Sequence, residues 1–308
     1  MAAGSRWLNA DTAQIDLLFQ GAERVIASYM LDIADGLAIV DTGPSSTLAR
    51  LLEGITELGR DPRDIRHLIM THIHLDHAGA AGTIVERYPD CRVYVHEIGA
   101  PHLVDPTSLV RSATRIYGEQ MEPLWGEIVP VPGDRINALT DGDRLDIGGR
   151  RLDVHYTPGH ASHHVAVHDL RHNVTFVGDV AGIRIPPSTD ALPPTPPPDI
   201  DVDLWHASVA LVRKLRPELI LLAHFGVVDD VARHLDLIDQ RLDDWLRIVE
   251  TSAANGLESD AIADRLRADV ESRTVASDTE SIVEQIEFAS PYGMSVDGLL
   301  RYLRKRSE

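Results

Sequence analysis

The sequence predicts an α+β fold, in which short strands and amphipathic helices share one chain. Apolar runs such as 37–40, 67–70 and 219–223 are typical of buried strands. Segments such as 45–59 and 228–252 carry apolar residues at helical spacing. With 308 residues the chain can bury a substantial hydrophobic core. We therefore expect one large mixed domain, or one domain with an appendage.

The first part of the chain begins with strands and ends with helices. The Asp35-Gly36 pair is a hairpin-type turn between two strands, and Gly59 is a plausible helix stop. The predicted elements are strands at 13–18, 25–33, 37–40, 67–70 and 92–96, helices at 45–59 and 78–88, and irregular helices over 98–127. Apolar residues of 98–127 belong either to the core or to a lid over a pocket.

The second part of the chain repeats this mixture and becomes helical towards its end. Seven prolines fall in 185–199, which predicts a stiff, extended segment that could form a wall over a site. The predicted elements are two or three strands within 129–147, strands at 151–156, 165–169, 174–177 and 219–223, helices at 203–216 and 228–252, and further helices in 253–308.

The densest chemical signal is the heptapeptide Thr71-His72-Ile73-His74-Leu75-Asp76-His77. It lies between a predicted strand and a predicted helix, where a rigid scaffold can present exposed side chains. In an extended segment, side chains two residues apart point the same way, so His72 and His74 can grip one metal ion. Asp76 and His77 at the turn can reach a second ion. A solvated polar loop is the plainer alternative, but four ligand-type residues at this spacing rarely coincide by chance.

Three later residues follow predicted strands in the same manner. His160 follows Pro158-Gly159, a pair that predicts a tight loop and a defined position. Asp179 ends a buried strand and could bridge two cations or simply terminate the strand, and His224 follows the apolar run 219–223. Together these seven residues suit two metal ions. Nitrogen and carboxylate ligands without thiolate favour zinc, with iron or manganese as alternatives.

Four further residues have roles that the local sequence leaves open. Asp41 is either a turn residue or a carboxylate that hydrogen-bonds a ligand histidine and fixes its ring. His96 is either a wall residue of the site or a surface histidine, while His163 and His164 are interpreted as supporting or structural.

Composition narrows the classes of partner and compartment. The 29 basic and 48 acidic residues give a net charge of −19, which disfavours a nucleic-acid partner. The single Cys91 rules out an intrachain disulfide and fits a reducing compartment. The N-terminus lacks the apolar core of a signal peptide, and no run approaches the ~20 apolar residues of a membrane span. We expect a cytoplasmic protein with no membrane association.

Taken together, these motifs resemble the metallo-β-lactamase superfamily of hydrolases. The signature Thr-His-x-His-x-Asp-His-x-Gly stands at 71–79, and Asp41-Thr42-Gly43, Pro158-Gly159-His160, Gly178-Asp179 and His224 follow in order. The resemblance covers about residues 13–250. It implies a four-layer αβ/βα sandwich of two mixed β-sheets flanked by helices, with the site at one edge between the sheets. We therefore expect a catalytic domain at 1–252 and a C-terminal helical extension at 253–308 packed on it.

The resemblance also implies a role for each site residue. Site one would be His72, His74 and His160; site two would be Asp76, His77 and His224; Asp179 would bridge the two, and Asp41 would support a ligand histidine. The expected reaction is attack on an ester, thioester or lactone carbonyl by hydroxide held between two divalent ions. Asp76 would also pass a proton to the leaving group. Asp179, where classical zinc β-lactamases carry a cysteine, makes the chain look more like the glyoxalase II and lactonase branches.

Three other functions remain alternatives. A small-molecule phosphoester hydrolase would use the same centre, and an iron-dependent redox enzyme shares this fold. A structural metal would instead be closed off by protein ligands. We expect a small-molecule substrate, selected by residues 98–127, 183–205 and 250–308. The C-terminal segment could close the pocket or pair two subunits in a homodimer.

Overall fold

The computed structural model describes residues 4–273 and 279–307, without the side chains of 279–281. Residues 1–3, 274–278 and 308, which belong to the predicted domain and its extension, lie outside the described residues. The strands are β1 Arg6–Trp7, β2 Thr12–Asp16, β3 Ala27–Ile33, β4 Gly36–Val40, β5 Ile65–Ile69, β6 Arg92–His96, β7 Ile136–Leu139, β8 Arg144–Ile147, β9 Arg150–Tyr156, β10 Val165–Asp169, β11 Val174–Gly178, β12 Leu219–Leu222 and β13 Gly226–Val228. The helices are α1 Leu48–Glu57, α2 Leu75–Ala78, α3 Ala81–Arg87, α4 Ala100–Val104, α5 Thr107–Tyr117, α6 Met121–Trp125, α7 Val202–Leu215, α8 Val231–Ala254, α9 Ser259–Arg273, α10 Thr279–Ala289 and α11 Tyr292–Ser307.

The strands form two mixed sheets. In the first, β1 to β7 lie in sequence order; the pairs from β1 to β4 are antiparallel and those from β4 to β7 are parallel. In the second, the order is β13-β12-β11-β10-β9-β8, and only β11 and β12 run parallel. Because β4 and β5 are parallel, their carboxyl ends lie side by side, and the same holds for β11 and β12. Predicted ligands follow three of these four strands: β5, β11 and β12.

Alternation along the strands produces the layers. In β4, Ile39 packs with helices α1 and α3 on the outer face, whereas Ala38 and Val40 face the other sheet. In β10, Val165 and Val167 meet that inner core, whereas Ala166 packs with the second set of helices. Both faces of each sheet are therefore buried, which explains the continuous apolar runs in these strands. The result is the predicted four-layer sandwich, helices–sheet–sheet–helices.

The C-terminal helices join the core of the second sheet. Ile262, Val296 and Leu299 are fully buried beside residues of α7 and α8. A Cβ at Gly298 would lie 1.9 Å from the carbonyl oxygen of Thr195, so α11 approaches the proline-rich segment at a distance that only glycine permits. The helical extension is thus present and packed on the sandwich. The boundary at 252 stays a prediction, because α8 runs through it.

The segment after β5 differs from the sequence prediction. We predicted one helix at 78–88, but α2 covers Leu75–Ala78 and α3 covers Ala81–Arg87. Asp76 and His77 are therefore in a short helix and not in a loop. The backbone N–H groups of Thr42 and Gly43 donate to the His77 carbonyl oxygen and hold α2 against the end of β4. Among the described helices, none has both the length and the apolar character needed to cross a bilayer.

A buried histidine outside the site makes the stability depend on pH. His234 of α8 is 3 % exposed, and its Nε2–H donates to the Ala181 carbonyl oxygen at 2.7 Å. Burial lowers the pKa of His234 from 6.5 to about 4. The unfolded chain therefore binds a proton between pH 6.5 and 4 that the folded protein does not bind. The contribution of His234 to stability is complete above pH 6.5 and is lost as the pH falls towards 4.

We expect this group to account for about 3 kcal/mol of the acid destabilisation, at 1.36 kcal/mol per pKa unit. His234→Gln replaces the imidazole N–H donor with an amide N–H donor that cannot titrate. The difference in unfolding free energy between wild type and variant should therefore shrink as the pH falls from 6.5 to 4, measured by urea titration. A difference that stays constant across this range would contradict the prediction.

Candidate metal centre

The predicted ligands meet at one edge of the sandwich, between the two sheets. Each lies just after the carboxyl end of a strand, or in the short helix that follows it. β5 precedes the His-Asp cluster, β9 precedes His160, β11 precedes Asp179 and β12 precedes His224. The residues brought within metal-binding distance are His72, His74, His160, Asp76, His77, Asp179 and His224.

Three imidazoles form the first group. The Nδ1 atom of His74 lies 3.1 Å from His72 Nε2 and 3.0 Å from His160 Nε2. His160 donates its Nδ1–H to the Pro194 carbonyl oxygen at 2.8 Å, and His72 Nδ1 lies 3.1 Å from the Thr71 hydroxyl. The carbonyl oxygen places the His160 proton on Nδ1. The Thr71 hydroxyl donates to Asp41, so it is left to accept the Nδ1–H of His72, and both Nε2 lone pairs then point at the centre.

Two histidines and a carboxylate form the second group. Asp76 Oδ2 lies 3.5 Å from His77 Nε2 and 3.3 Å from His224 Nε2. The far side of each ring is again anchored: His224 Nδ1–H donates to the Val25 carbonyl oxygen at 2.7 Å, and His77 Nδ1–H donates to Asp41 at 3.0 Å. The two Nε2 atoms are therefore free to act as ligands.

Asp179 spans both groups. Its Oδ1 lies 3.3 Å from His77 Nε2 and 3.6 Å from His224 Nε2, while its Oδ2 lies 3.4 Å from His160 Nε2. The peptide N–H of Asp179 donates to His164 Nε2 at 3.1 Å, which holds the residue in this position. One carboxylate thus presents an oxygen to each group, as a bridging ligand must.

The charge distribution of the two groups differs. Burial lowers the pKa of all three rings in the first group, that of His74 to about 4, so these rings are neutral. In the second group burial also acts against protonation, but the carboxylates of Asp76 and Asp179 outweigh it and raise the pKa of His77 and His224. The two carboxylates therefore draw positive charge to the second group, where a metal cation would take the place of the protons on these rings.

The residues fit divalent metal ions. A proton on His74 Nδ1 could be donated to His72 Nε2 or to His160 Nε2, but not to both. One cation would instead accept the lone pairs of all three nitrogen atoms. His77 Nε2 and Asp179 Oδ1 are buried and make no hydrogen bond within the described part of the chain, although they lie 3.3 Å apart. Unpaired buried polar atoms are costly, and a bound ion would satisfy both. The assignment of individual ligands remains a prediction.

Asp41 and Thr71 support the cluster from beneath. Asp41 Oδ1 accepts from the Thr71 N–H and its Oδ2 accepts from the Thr71 hydroxyl, both at 2.8 Å, and Oδ2 also accepts from His77. Asp41 has a φ of 55°, a left-handed conformation that is uncommon for a non-glycine residue. Of the two roles left open for Asp41, the contacts match the one that orients a ligand histidine. The part played by Thr71 was missed, although it opens the signature.

Replacing Asp41 should weaken metal binding at the second group. Asp41→Asn exchanges one acceptor oxygen for an NH₂ group, which cannot accept from both Thr71 and His77. We expect the affinity for the more weakly held metal to fall by about 10- to 100-fold, measured by titrating Zn²⁺ into chelator-treated protein. Thr71→Ser, which keeps the hydroxyl that contacts both Asp41 and His72, is the matched control. Equal affinities for wild type and Asp41→Asn would contradict the prediction.

The three histidines whose roles the sequence left open lie in different surroundings. His164 is structural: its Nδ1 contacts the Thr157 hydroxyl at 2.8 Å and its Nε2 accepts from Asp179. His163 borders the cavity of the site, and its Nδ1 accepts from the Ile73 N–H at 3.4 Å. His96 matches neither of its two predicted positions. It is 4 % exposed and stacks on Tyr156 with ring centroids 4.4 Å apart, outside the described cavity wall.

A cavity of about 620 Å³ opens onto the centre. His74, Asp76, His160 and Asp179 lie at its floor. Four prolines, at 194 and 196–198, form one wall, as the sequence predicted for the proline-rich segment. Further walls come from α4, α5, α6, the end of α10 and the start of α11. The cavity therefore contains residues from every part of the chain predicted to select the substrate.

Comparison with known proteins agrees with this geometry. The sequence model described as "Metallo-beta-lactamase superfamily" matches residues 21–224. Over 165 residues the chain is 29 % identical to the metallo-beta-lactamase fold-containing protein ST1585 of Sulfurisphaera tokodaii, covering 53 % of this chain and 61 % of that one. Over 127 residues it is 30 % identical to the acyl-coenzyme A thioesterase MBLAC2 of Gallus gallus, covering 40 % and 43 %. The matches thus span about half the length of these relatives.

The crystal structure of ST1585 superposes with a TM-score of 0.63 at 20 % identity, covering 99 % of this chain and 100 % of that one. At this identity the likeness concerns the fold, and it extends to the C-terminal helices. The profile match, the two-sheet sandwich and the ordered His and Asp motifs all agree. The chain is a member of the metallo-β-lactamase superfamily.

Proposed function

We propose that the protein is a hydrolase with two divalent metal ions, zinc in first place, which cleaves an ester, thioester or lactone at its carbonyl carbon. The observation that carries the proposal is the position of Asp179, whose two oxygens face the two ligand groups at the floor of the cavity. The superfamily consists mostly of metal-dependent hydrolases. The similarity to an acyl-coenzyme A thioesterase supports a carbonyl substrate.

The metal ions, when bound, supply Lewis acidity that activates water and polarises the carbonyl oxygen. His72, His74 and His160 would hold one ion; Asp76, His77 and His224 would hold the other; Asp179 would contact both. All these ligands are nitrogen or carboxylate, which suits zinc and also iron or manganese. The fixed Nδ1 protons of His72, His160 and His224 mean that these rings need no rearrangement when they bind.

The two central carboxylates are suited to different tasks. The Asp179 side chain is 4 % exposed and is held by contacts on both sides, so its task is to position. The Asp76 side chain is 19 % exposed and borders the cavity. The Asp76 carboxylate can therefore accept a proton from the attacking water and return it to the leaving oxygen or sulfur. In the balanced reaction, water adds its oxygen to the carbonyl carbon, the C–O or C–S bond breaks, and one proton moves to the leaving group.

The charge of the cavity favours a carbonyl substrate over a phosphoester. Four carboxylates line the described cavity wall, whereas no Lys or Arg side chain is found on that wall. Phosphate recognition commonly uses Arg or Lys. A dianionic phosphoester would enter this cavity against electrostatic repulsion. Phosphoester hydrolysis is therefore the weaker candidate, and iron-dependent redox chemistry is the third.

Initial rates on a small substrate panel test the proposal. The panel contains a neutral aryl ester, an acyl thioester, a homoserine lactone and an aryl phosphate, each with chelator-treated and Zn²⁺-reconstituted protein. We expect turnover of at least one carbonyl substrate that is lost on chelation and restored by up to two equivalents of metal. Turnover of the phosphate alone would overturn the proposal in favour of a phosphoesterase. No turnover on the whole panel by protein with two bound ions would point to redox chemistry.

A further inference from the structure

The lining of the cavity extends well beyond the metal groups. Its floor lies at His74, Asp76, His160 and Asp179, but its lining continues to Phe19, Trp125 and Met294. These three residues come from the N-terminal segment, α6 and α11. A carbonyl carbon bound at the floor would leave this outer part free for another portion of the substrate.

One wall of the outer part is a single face of helix α5. Six of its residues border the cavity at spacings of one and three, which is the pattern of one helical face. These residues are Ser108, Leu109, Ser112, Ala113, Ile116 and Tyr117. The side chain of Ile116 is 45 % exposed, so a large apolar side chain is presented to solvent at the cavity. α6 continues this wall, where Trp125 stacks on Phe19 with ring centroids 5.5 Å apart.

The opposite wall comes from the C-terminal extension. Phe288 borders the cavity, is 44 % exposed and meets Phe19 edge-on with ring centroids 5.7 Å apart. The Tyr117 hydroxyl lies 3.6 Å from Met294 Sδ, so α5 and α11 touch across the cavity. The extension therefore closes the pocket of its own chain, which is one of the two roles predicted for it; the homodimer stays a prediction.

The charges around the outer part of the cavity favour an apolar chain over an anionic group as its occupant. The carboxylates of this outer region already have partners: Asp199 accepts from the Ser162 hydroxyl at 2.6 Å, and Glu287 pairs with Arg267 at 3.0 Å. Arg115 of α5 is exposed, but it is not part of the described cavity wall. An apolar chain would bury the exposed apolar side chains favourably, whereas an anionic group would be desolvated without a cationic partner.

We propose that the outer cavity, between α5, α6 and the α10–α11 turn, binds the apolar, uncharged acyl chain of the substrate and sets its chain length. This inference rests on the proposed function, since it places the carbonyl of that chain at the metal groups. Phe19, Ile116, Tyr117, Trp125 and Phe288 are its specificity-determining residues.

A chain-length series tests the inference with holoenzyme. p-Nitrophenyl esters from acetyl to octanoyl should show kcat/KM rising about fourfold per methylene until the cavity is filled. An ester of the same length that ends in a carboxylate, such as the hemisuberate, should be at least about tenfold poorer than the octanoate. Equal kcat/KM for all lengths would overturn the inference and leave the proposed function standing.

Two matched variants test whether the chain-length preference depends on the face of α5 that lines the cavity. Ser112→Phe fills the cavity from an exposed position on α5, whereas Thr114→Phe lies about 200° around the same helix and outside the cavity wall. We expect the octanoyl-to-acetyl ratio of kcat/KM to fall more than tenfold in Ser112→Phe and to keep its wild-type value in Thr114→Phe. Ile116→Lys should narrow or reverse the preference for octanoate over hemisuberate. A ratio that changes equally in both Phe variants would overturn the inference.

Binding measurements keep the test independent of turnover. Calorimetric titration of metal-free protein with n-octanol and with octanoate should show binding of the alcohol, lost in Ser112→Phe and kept in Thr114→Phe. If no ester is hydrolysed but this pattern holds, the proposed function fails and the apolar cavity stands. Absence of alcohol binding by wild type, or tighter binding of octanoate, would overturn the inference itself.

Discussion

Asp179→Asn is expected to lose metal and activity together. The substitution keeps the shape of the side chain but removes one of the two negative charges at the centre. It also leaves a single carbonyl oxygen to face ligand atoms that lie 3.3–3.6 Å away on two sides. The NH₂ group would point at either His160 Nε2 or at His77 and His224, where a lone pair is needed. Neither orientation of the amide can bridge two cations.

The expected loss of rate is on the order of a thousandfold. A metal centre stabilises transition-state charge by several kcal/mol, and each 1.36 kcal/mol is a factor of ten in rate. We expect the variant to bind one ion per chain or none under conditions where the wild type binds two. Metal content by elemental analysis and kcat/KM on the best substrate of the panel are measured on the same preparations.

Asp190→Asn is the matched control for this experiment. Asp190 pairs with Arg241 at 2.9 Å and lies outside both ligand groups. Its substitution should lower stability while metal content and rate are retained. An Asp179→Asn protein that is active with little metal bound would contradict the assigned bridging role. So would a variant that binds two ions with wild-type affinity.

Gly159→Ala should cause a large loss of stability from a single added methyl group. Gly159 has a φ of +136°, and a Cβ there would lie 2.4–2.5 Å from the backbone N and Cα of Trp205. These are backbone atoms of α7 and cannot be moved by a side-chain rotation. The Asp201 N–H donates to the Gly159 carbonyl oxygen at 2.8 Å, so the loop and the start of α7 must separate together.

The consequences reach His160, the next residue. Its ring lies 5.5 Å from that of Trp205, whose Nε1–H donates to the Val180 carbonyl oxygen at 2.7 Å. Displacing α7 therefore disturbs both His160 and the loop that carries Asp179. We expect the free energy of unfolding to fall by about 2–5 kcal/mol, the sum of overpacking and backbone strain. Metal affinity should fall with it.

Urea titration of Gly159→Ala and Gly256→Ala separates the two causes. Gly256 also has a positive φ, of +76°, but a Cβ there would meet no atom within 4 Å. Gly256→Ala should therefore show only the conformational cost, about 1 kcal/mol. If both variants lose the same stability with unchanged m-values, the close contact with Trp205 carries no energy of its own.

Much of the site could be predicted from sequence because its ligands follow local patterns. Each one lies a few residues after the end of a strand, in a motif of His, Asp, Gly or Pro. His72 follows β5 of the first sheet and His224 follows β12 of the second. The order of the motifs along the chain, matched to the superfamily signature, is what assigned these distant residues to one place. The apolar run at 37–40 likewise predicted a buried strand, and burial of both faces of such strands produces the layered fold.

The groups that orient the ligands could not be predicted in the same way. His160 and His224 are anchored by the carbonyl oxygens of Pro194 and Val25. Every residue has such an oxygen, so no side chain marks the ones that are used. His96 shows the same limit: its stacking on Tyr156 depends on how β6 and β9, strands of different sheets, approach each other.

The sequence by itself determined the family, the order in which the His and Asp motifs follow the strands, and the residues able to hold metal. These features depend only on local pattern and on order along the chain. Only the tertiary structure decided the cavity. Phe19, Ile116 and Phe288 are separated by up to 269 positions, and none of them belongs to a motif. They meet because α10 and α11 fold back over the second sheet and reach α5. Long-range packing of this kind leaves no short-range signal in the chain, and it is what shapes the space in which a substrate must fit.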